Sequence, residues 1–503
     1  MGISQTFNSS AKLVRLATLC IGLVVIIWNA TSMQSTQNVY SRLTKPHAAS
    51  NPADDLHNEF YGTVGSSSDL TGPVQAGRHN HAHHAPPNPS SKAESANLGL
   101  NGRPRLPPVD FIAQHVPQPK EDGSHLEKQK LNDYIDAIFN LDNSIFWRLE
   151  CPEQHNQGPR YQVLRELPKQ DPGIKYFFAL DLYNIIDILP RLLGTIIQVI
   201  KFLGAENCAL SIIEGRSHDG TYSVLYGIQE ELSKHGVQYW LDQSDINPHA
   251  DGVDRIEELS KLRNMALEPL TNPKTRPMFS DKPVIMFVND VAICPDDLLE
   301  MTYQHLLQNA TQTCAMDWVD GGDLFYDAWV SRSMSGNTFF EIPQDMSWAF
   351  SRNMFWDEPD AYTLYREKKP FQVFSCWGGM VVLDSAPFID GQISFRRNVE
   401  GECYGGEPQT LASDLVKIGM SRVQTLPYVH VAYSNHEAER VKKIREYVHD
   451  VVNVTVPVNK FEDDKETQRV KWKQAPPRYR CMPGFNQQWW VDTVYVPGDE
   501  HLQ

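Results

Sequence analysis

Between Cys208 and Gln308, short apolar runs alternate with segments of helical period, and this alternation narrows the possible folds most. Cys208–Ile213 reads as a strand, Thr221–His235 as a helix with Leu225, Ile228 and Leu232 on one face, and Val237–Leu241 as a second strand. Asp254–Leu267 follows as a helix stopped by Pro269. Val284–Val288 is a third, strongly apolar strand, and Asp296–Gln308 a helix entered through Pro295. Strands alternating with helices imply an α/β fold whose mostly parallel sheet is flanked by helices. No fixed period repeats, which excludes a solenoid. Ligands of such sheets bind outside the carboxyl ends of the strands, so the loops after Ile213, Leu241 and Val288 are the places to look for chemistry.

The flanks set the organisation. Leu16–Met33 carries no charge, Lys12 and Arg15 precede it, and no acidic residue occurs before Asp54. Positive charge on the N-terminal side predicts a cytoplasmic tail over 1–15, a transmembrane signal anchor over 16–33 and a lumenal remainder. A cleaved signal peptide is the alternative. Residues 34–123 are rich in Ser, Pro, Asn, Gly and His and read as a disordered stem, with the histidines of His79–His84 incidental to it. Residues 124–503 form the folded domain, in which Asn309 and Asn453 head glycosylation sequons. His125–Asn143 has helical spacing. Tyr176–Leu203 is long and apolar, but Asp181, Asp187, Arg191 and Pro190 argue for a buried amphipathic helix pair rather than a second membrane span.

The chain has 503 residues and a formal charge of −16, and it shows no basic run, so nucleic acid is not an expected partner. Eight cysteines occur without a CxxC pair, which speaks against a zinc or thioredoxin-type site. Cys20 lies in the N-terminal apolar run. In a lumenal domain some of the others are expected to form disulfides, and their odd number leaves one unpaired within the chain.

Several short motifs sit where chemistry is expected. Asn289-Asp290-Val291 follows the most apolar strand. A carboxylate there suits a hard cation that neutralises a leaving diphosphate, though an Asn-Asp turn has the same sequence. Glu214-Gly-Arg216-Ser217 follows the first strand, either contacting a nucleotide or serving as a capped turn. Arg263-Asn264 lies near the end of its helix, where the arginine either complements the helix dipole or reaches a diphosphate. Asp317-Trp318 and the Tyr326–Arg332 segment combine carboxylates with aromatic rings, as sugar sites do and as ordinary cores also do. Cys376-Trp377-Gly378-Gly379 permits close backbone approach. Glu407 precedes Pro408 at the start of a helix Pro408–Ile418, placed either to face an acceptor or to complement the dipole.

Together these segments resemble glycosyltransferase family 69, the fungal capsule-associated α-1,3-mannosyltransferases. The resemblance rests on Phe178–Leu182, Leu189–Gly194, Leu210–Thr221, Phe287–Val291, Ala315–Trp318, Tyr326–Val330, Cys376–Gly379, and Glu407 with Asp414 and Gly419. It implies a GT-A-like (Rossmann-related) fold in a type II Golgi membrane protein that contributes to fungal glycan or capsule polysaccharide synthesis. It further implies transfer of mannose from GDP-mannose to an α-mannoside or polysaccharide acceptor, forming an α-1,3 linkage with retention and using a divalent cation, Mn2+ or Mg2+. On this reading Asp290 holds the metal, while Asp317 and Glu407 orient mannose and acceptor. Glu214, Arg216, Arg263, Asn264, Asn289, Trp377 and Gly378 contact the nucleotide sugar. His430 is a weaker candidate ligand, because it lies in the apolar run Tyr428–Ala432. Transfer of xylose or glucuronic acid is an alternative, as is a non-catalytic membrane-tethered export or scaffold protein, which the incomplete acidic motif at 289–291 would favour.

Overall fold

A computed structural model describes residues 125–494, except 141, 153–157 and 346–347. The expected tail, anchor and stem over 1–123 and the histidine run at 79–84 lie outside the described residues. Among the described residues, no helix is long and apolar enough to cross a membrane.

The alternation folds as expected into strands and helices. The strands are β1 Ile174–Leu182, β2 Cys208–Glu214, β3 Gln238–Gln243, β4 Phe279–Val288, β5 Gln312–Val319, β6 Leu324–Phe325, β7 Phe371–Gln372, β8 Met380–Asp384 and β9 Val423–Val431. Their order is β3-β2-β1-β4-β8-β5-β9-β7, with β6 beside β5. β1 pairs in parallel with β2 and β4, β2 with β3, and β5 with β9. β8 runs antiparallel between β4 and β5. The carboxyl ends of β1 to β5 and β9 therefore share one edge with the amino end of β8. A tenth and eleventh strand, β10 Arg478–Gly484 and β11 Gln487–Asp492, form a separate antiparallel hairpin.

The first half of Tyr176–Leu203 is a strand, not a helix. Tyr176 to Leu180 are fully buried, and β1 is paired on both sides. A continuous apolar run has no period to distinguish a central strand from a buried helix, and pairing on two flanks decides the matter. The helix begins only at Leu189, with Pro190 in its first turn, and runs to Leu203. Two other boundaries differ. The expected helix Thr221–His235 is divided into Thr221–Gly227 and Gln229–Lys234. The expected helix Asp254–Leu267 runs from Arg255 through Pro269 to Thr271, capped by the Asp254 side chain on the Glu257 N–H at 3.1 Å. Proline so near the end forfeits one backbone bond, while Leu267, Pro269 and Leu270 stay buried.

Among the described residues, three disulfides join Cys151–Cys294, Cys314–Cys376 and Cys403–Cys481, and Cys208 is free and buried. The first closes 143 residues of chain, and the other two close 62 and 78. Loss of a native bridge of this kind costs about 2–5 kcal/mol by freeing the unfolded chain. In the full-length protein, denatured without reductant and alkylated, peptide mapping is expected to find label on Cys208 and none on these six. Label on any of the six would remove that bridge.

Candidate active site

The shared strand edge gathers carboxylates around one guanidinium. Asp181 ends β1, and Asp290 follows β4 on the neighbouring strand. Both are partly buried. Burial pushes the Asp181 carboxyl up to about 7; Arg263 opposes this, while the charges of Asp290 and Glu407 add to it. Burial likewise raises the Asp290 carboxyl above its ordinary range.

Arg263 comes from the middle of its helix and is buried, not exposed at the helix end as its sequence position suggests. Its Nε lies 2.7 Å from Glu407 Oε1, and its guanidinium stacks 3.9 Å from the centre of the Trp377 ring. Its Nη1 is buried without a hydrogen-bond partner. Glu407 is the first residue of the helix Glu407–Lys417, with Gly406 as N-cap. Trp377 donates its indole N–H to Asn289 Oδ1 at 3.1 Å, and the Asn289 N–H donates to the Gly379 carbonyl at 3.0 Å. Asn289 thereby fixes the tryptophan on which Arg263 rests.

A second carboxylate pair lies under the first. Asp317, near the end of β5, is fully buried and accepts from the Asp327 N–H at 3.2 Å and from the Tyr433 hydroxyl at 2.8 Å. Burial and the Asp327 charge push its carboxyl well above the ordinary range. Asp327 accepts from the Gly378 N–H at 2.5 Å, and burial raises it to about 6. Two coupled buried carboxylates do not ionise together easily, and burial raises both above the ordinary carboxylate range. Gly378 has φ 66°, and a Cβ there would lie 2.0 Å from the Ala315 carbonyl oxygen. Only glycine lets this N–H reach Asp327.

The remaining candidates have partners of their own. Glu214 is buried and accepts from the N–H groups of Arg216 and Ser217 at 3.0 and 2.6 Å and from Gln243 Nε2 at 3.0 Å, so it caps its own turn. Arg216, at φ 62°, is half-exposed and paired with Asp245. Asn264 latches the backbone of Phe395 through both amide atoms, at 2.7 and 2.9 Å. His430 is buried and accepts from Trp318 Nε1 at 3.0 Å; burial and neighbouring cations push its pKa well down, as for a neutral core histidine. Asp181 and Tyr433 had no role assigned from the sequence, and Asp327 was marked only as part of the Tyr326–Arg332 segment. Reading Tyr176–Leu182 as a strand would have exposed Asp181, because the strand-end rule applies to it as it does to Asp290.

Among the described residues, no group of three or more His, Cys, Asp or Glu side chains is spaced to hold a metal ion. Asp181 and Asp290 on adjacent strand ends do suit a hard cation that takes one or two carboxylates and completes its shell with diphosphate oxygens and water.

The family model described as cryptococcal mannosyltransferase 1 matches residues 175–414, which include every carboxylate of the site from Asp181 to Glu407. The alpha-1,3-mannosyltransferase CMT1 of Cryptococcus neoformans var. neoformans serotype D is 32% identical over 356 residues, 67% of this chain and 75% of that protein. Among solved structures, S. aureus TarS 1-349 in complex with UDP-GlcNAc matches at TM-score 0.31 and 12% identity, over 56% of this chain and 64% of that one. The mannosyltransferase PcManGT from Pyrobaculum calidifontis, in complex with GDP-Man and Mn2+, matches at TM-score 0.29 and 12% identity, over 54% of this chain and 63% of that one. This chain thus spans under two thirds of either solved chain. By its relation to the cryptococcal enzyme, the chain belongs to the capsule-associated mannosyltransferase family and is a hexosyltransferase.

Proposed function

We propose that this enzyme transfers mannose from GDP-mannose to an α-mannoside or polysaccharide acceptor, forming an α-1,3 linkage with retention. The observation that carries this reading is the identity to an α-1,3-mannosyltransferase together with a family match that contains the whole carboxylate site. Asp290, with Asp181 beside it, would hold a divalent cation, manganese or magnesium. When bound, such an ion offsets the charge developing on a leaving diphosphate.

The chain's own residues supply positioning. Arg263 pairs with Glu407 at 2.7 Å, and the Gly378 N–H holds Asp327, so two carboxyl groups in fixed positions are available to hold sugar hydroxyls. Asp317, engaged by Tyr433 and the Asp327 backbone, supports that arrangement rather than meeting the sugar itself. Arg216, half-exposed beyond β2, is free to exchange Asp245 for a phosphate. In a retaining transfer the acceptor hydroxyl attacks from the leaving-group face, and its proton passes to the departing phosphate oxygen. No strong protein base is then needed.

We place the enzyme in the Golgi membrane as a single-pass type II protein, with 16–33 as anchor, 34–123 as stem and 124–503 as the lumenal domain. The three disulfides support an oxidising compartment. The test incubates the full-length chain with radiolabelled GDP-mannose, Mn2+ and mannobiose, then determines the linkage. An α-1,3-linked mannotriose is expected. Transfer from UDP-xylose or UDP-glucuronic acid but not from GDP-mannose would overturn the donor assignment.

A further inference from the structure

The C-terminal hairpin is bridged to the loop that leads to Glu407. Its tip residue, Phe485, is half-buried between two indoles, with ring centres 6.0 Å from Trp329 and 5.8 Å from Trp348, both edge-on. Trp329 lies two residues after Asp327 and against Gly406, where an added Cβ would meet its Nε1 at 3.5 Å. Gly406 caps the helix that begins with Glu407. The aromatic row therefore starts at the segments that carry Asp327 and Glu407 and leads outward, from buried Trp329 to half-buried Phe485 and Trp348.

The row is fixed rather than loose. Cys481 of the hairpin is bridged to Cys403, in the loop that leads to Glu407. The buried Arg332 donates from Nε to the Arg480 carbonyl at 2.6 Å. Gln488 Nε2 donates to the carbonyls of Phe485 and Ile342 at 2.7 and 3.1 Å. A disulfide and a buried guanidinium thus tie the hairpin to the segments carrying Glu407 and Asp327.

We infer that Phe485 and Trp348, seated on the buried Trp329, form the platform that binds the acceptor glycan. This rests on the mannosyl-transfer reading. Aromatic faces cover the C–H faces of neutral sugar rings and bring large apolar area at little entropic cost. Acceptor is favoured over donor by strand order. The loops that suit a nucleotide follow β1, β2 and β4, in the half of the sheet ordered β3-β2-β1-β4. Trp329 and Trp348 follow β5, in the other half, and the hairpin joins them there.

The experiment uses the full-length chain and the variants Phe485→Ala, Phe485→Leu and Trp348→Ala. It measures KM for mannobiose, KM for GDP-mannose, and hydrolysis of GDP-mannose without acceptor. For the alanine variants, mannobiose KM is expected to rise about tenfold (about 1.4 kcal/mol), with donor KM and hydrolysis unchanged. Phe485→Leu keeps the packing volume without the ring face and is expected to follow Phe485→Ala. A rise in GDP-mannose KM instead would make the row a purine platform and overturn the inference. An unchanged mannobiose KM in the variants would overturn it as well. Should the wild type use no GDP-mannose, the transfer reading fails by itself. Mannobiose binding, followed by tryptophan fluorescence and lost in Phe485→Leu, would then sustain the platform, and absence of binding would end it.

Discussion

Asp290→Asn is expected to lower mannosyl transfer about 100-fold or more, about 2.7 kcal/mol in the transition state, while the protein melts at the same temperature or higher. The substitution keeps the shape and removes one anionic oxygen from the strand end where a cation would sit. The stability sign follows from the raised carboxyl. Burial holds Asp290 above its ordinary value of 3.8, so the folded state penalises the ionised form. That penalty is absent below 3.8 and grows as pH rises towards the raised folded value, and asparagine removes it. Thermal melting, Mn2+ titration and transfer rate on the two proteins check this. A variant that binds Mn2+ and transfers at the wild-type rate would remove Asp290 as a metal ligand. A variant that melts much lower would make it a structural turn residue, as its Asn-Asp context allows.

Arg263→Ala is expected to abolish measurable transfer and to cost about 3–5 kcal/mol of stability, the usual penalty for stranding one member of a buried ion pair. Glu407 would be left buried, and Asp181 and Asp327 would lose the cation that lowers their pKa values. The deficit should depend on pH. Those carboxyls already sit near 7 and 6, and without Arg263 they rise further. Stability lost to their ionisation is therefore largest above pH 7 and shrinks as pH falls below 6, where they are protonated and no longer need the cation. Denaturant unfolding at pH 5 and pH 8 measures the difference, and an equal deficit at both would refute the electrostatic account. The double variant Arg263→Met/Glu407→Gln should recover most of the stability and none of the transfer. Recovered transfer would show that the pair only fills space.

The candidate site was partly legible because a strand-end rule needs only apolar runs and the polar residues that follow them. It found Asp290 after Phe287-Val288, while Pro408 separately marked Glu407 at a helix start. It missed Asp181, since the run before it was read as a helix. It also gave Glu214 and Asn264 the same standing as Arg263. Their difference lies in partners: Glu214 is engaged by its own turn and Asn264 by the Phe395 backbone, whereas Arg263 meets Glu407, which is 144 positions away. No local pattern encodes a contact at that separation.

By itself the sequence determined the α/β class, the family and that the seven cysteines beyond Cys20 cannot all pair among themselves, because periodicity, motif order and parity are properties of the chain alone. Tertiary structure decided which cysteines pair, that Tyr176–Leu182 is a central strand, that Asp181, Asp327 and Glu407 share one guanidinium, and that Asp290 lies beside Asp181. It also decided that the C-terminal hairpin brings Phe485 against Trp329. Each of these depends on what is buried beside what. Burial and unlike-charge pairing set the protonation and orientation of a side chain, and both come from neighbours that only the folded chain supplies.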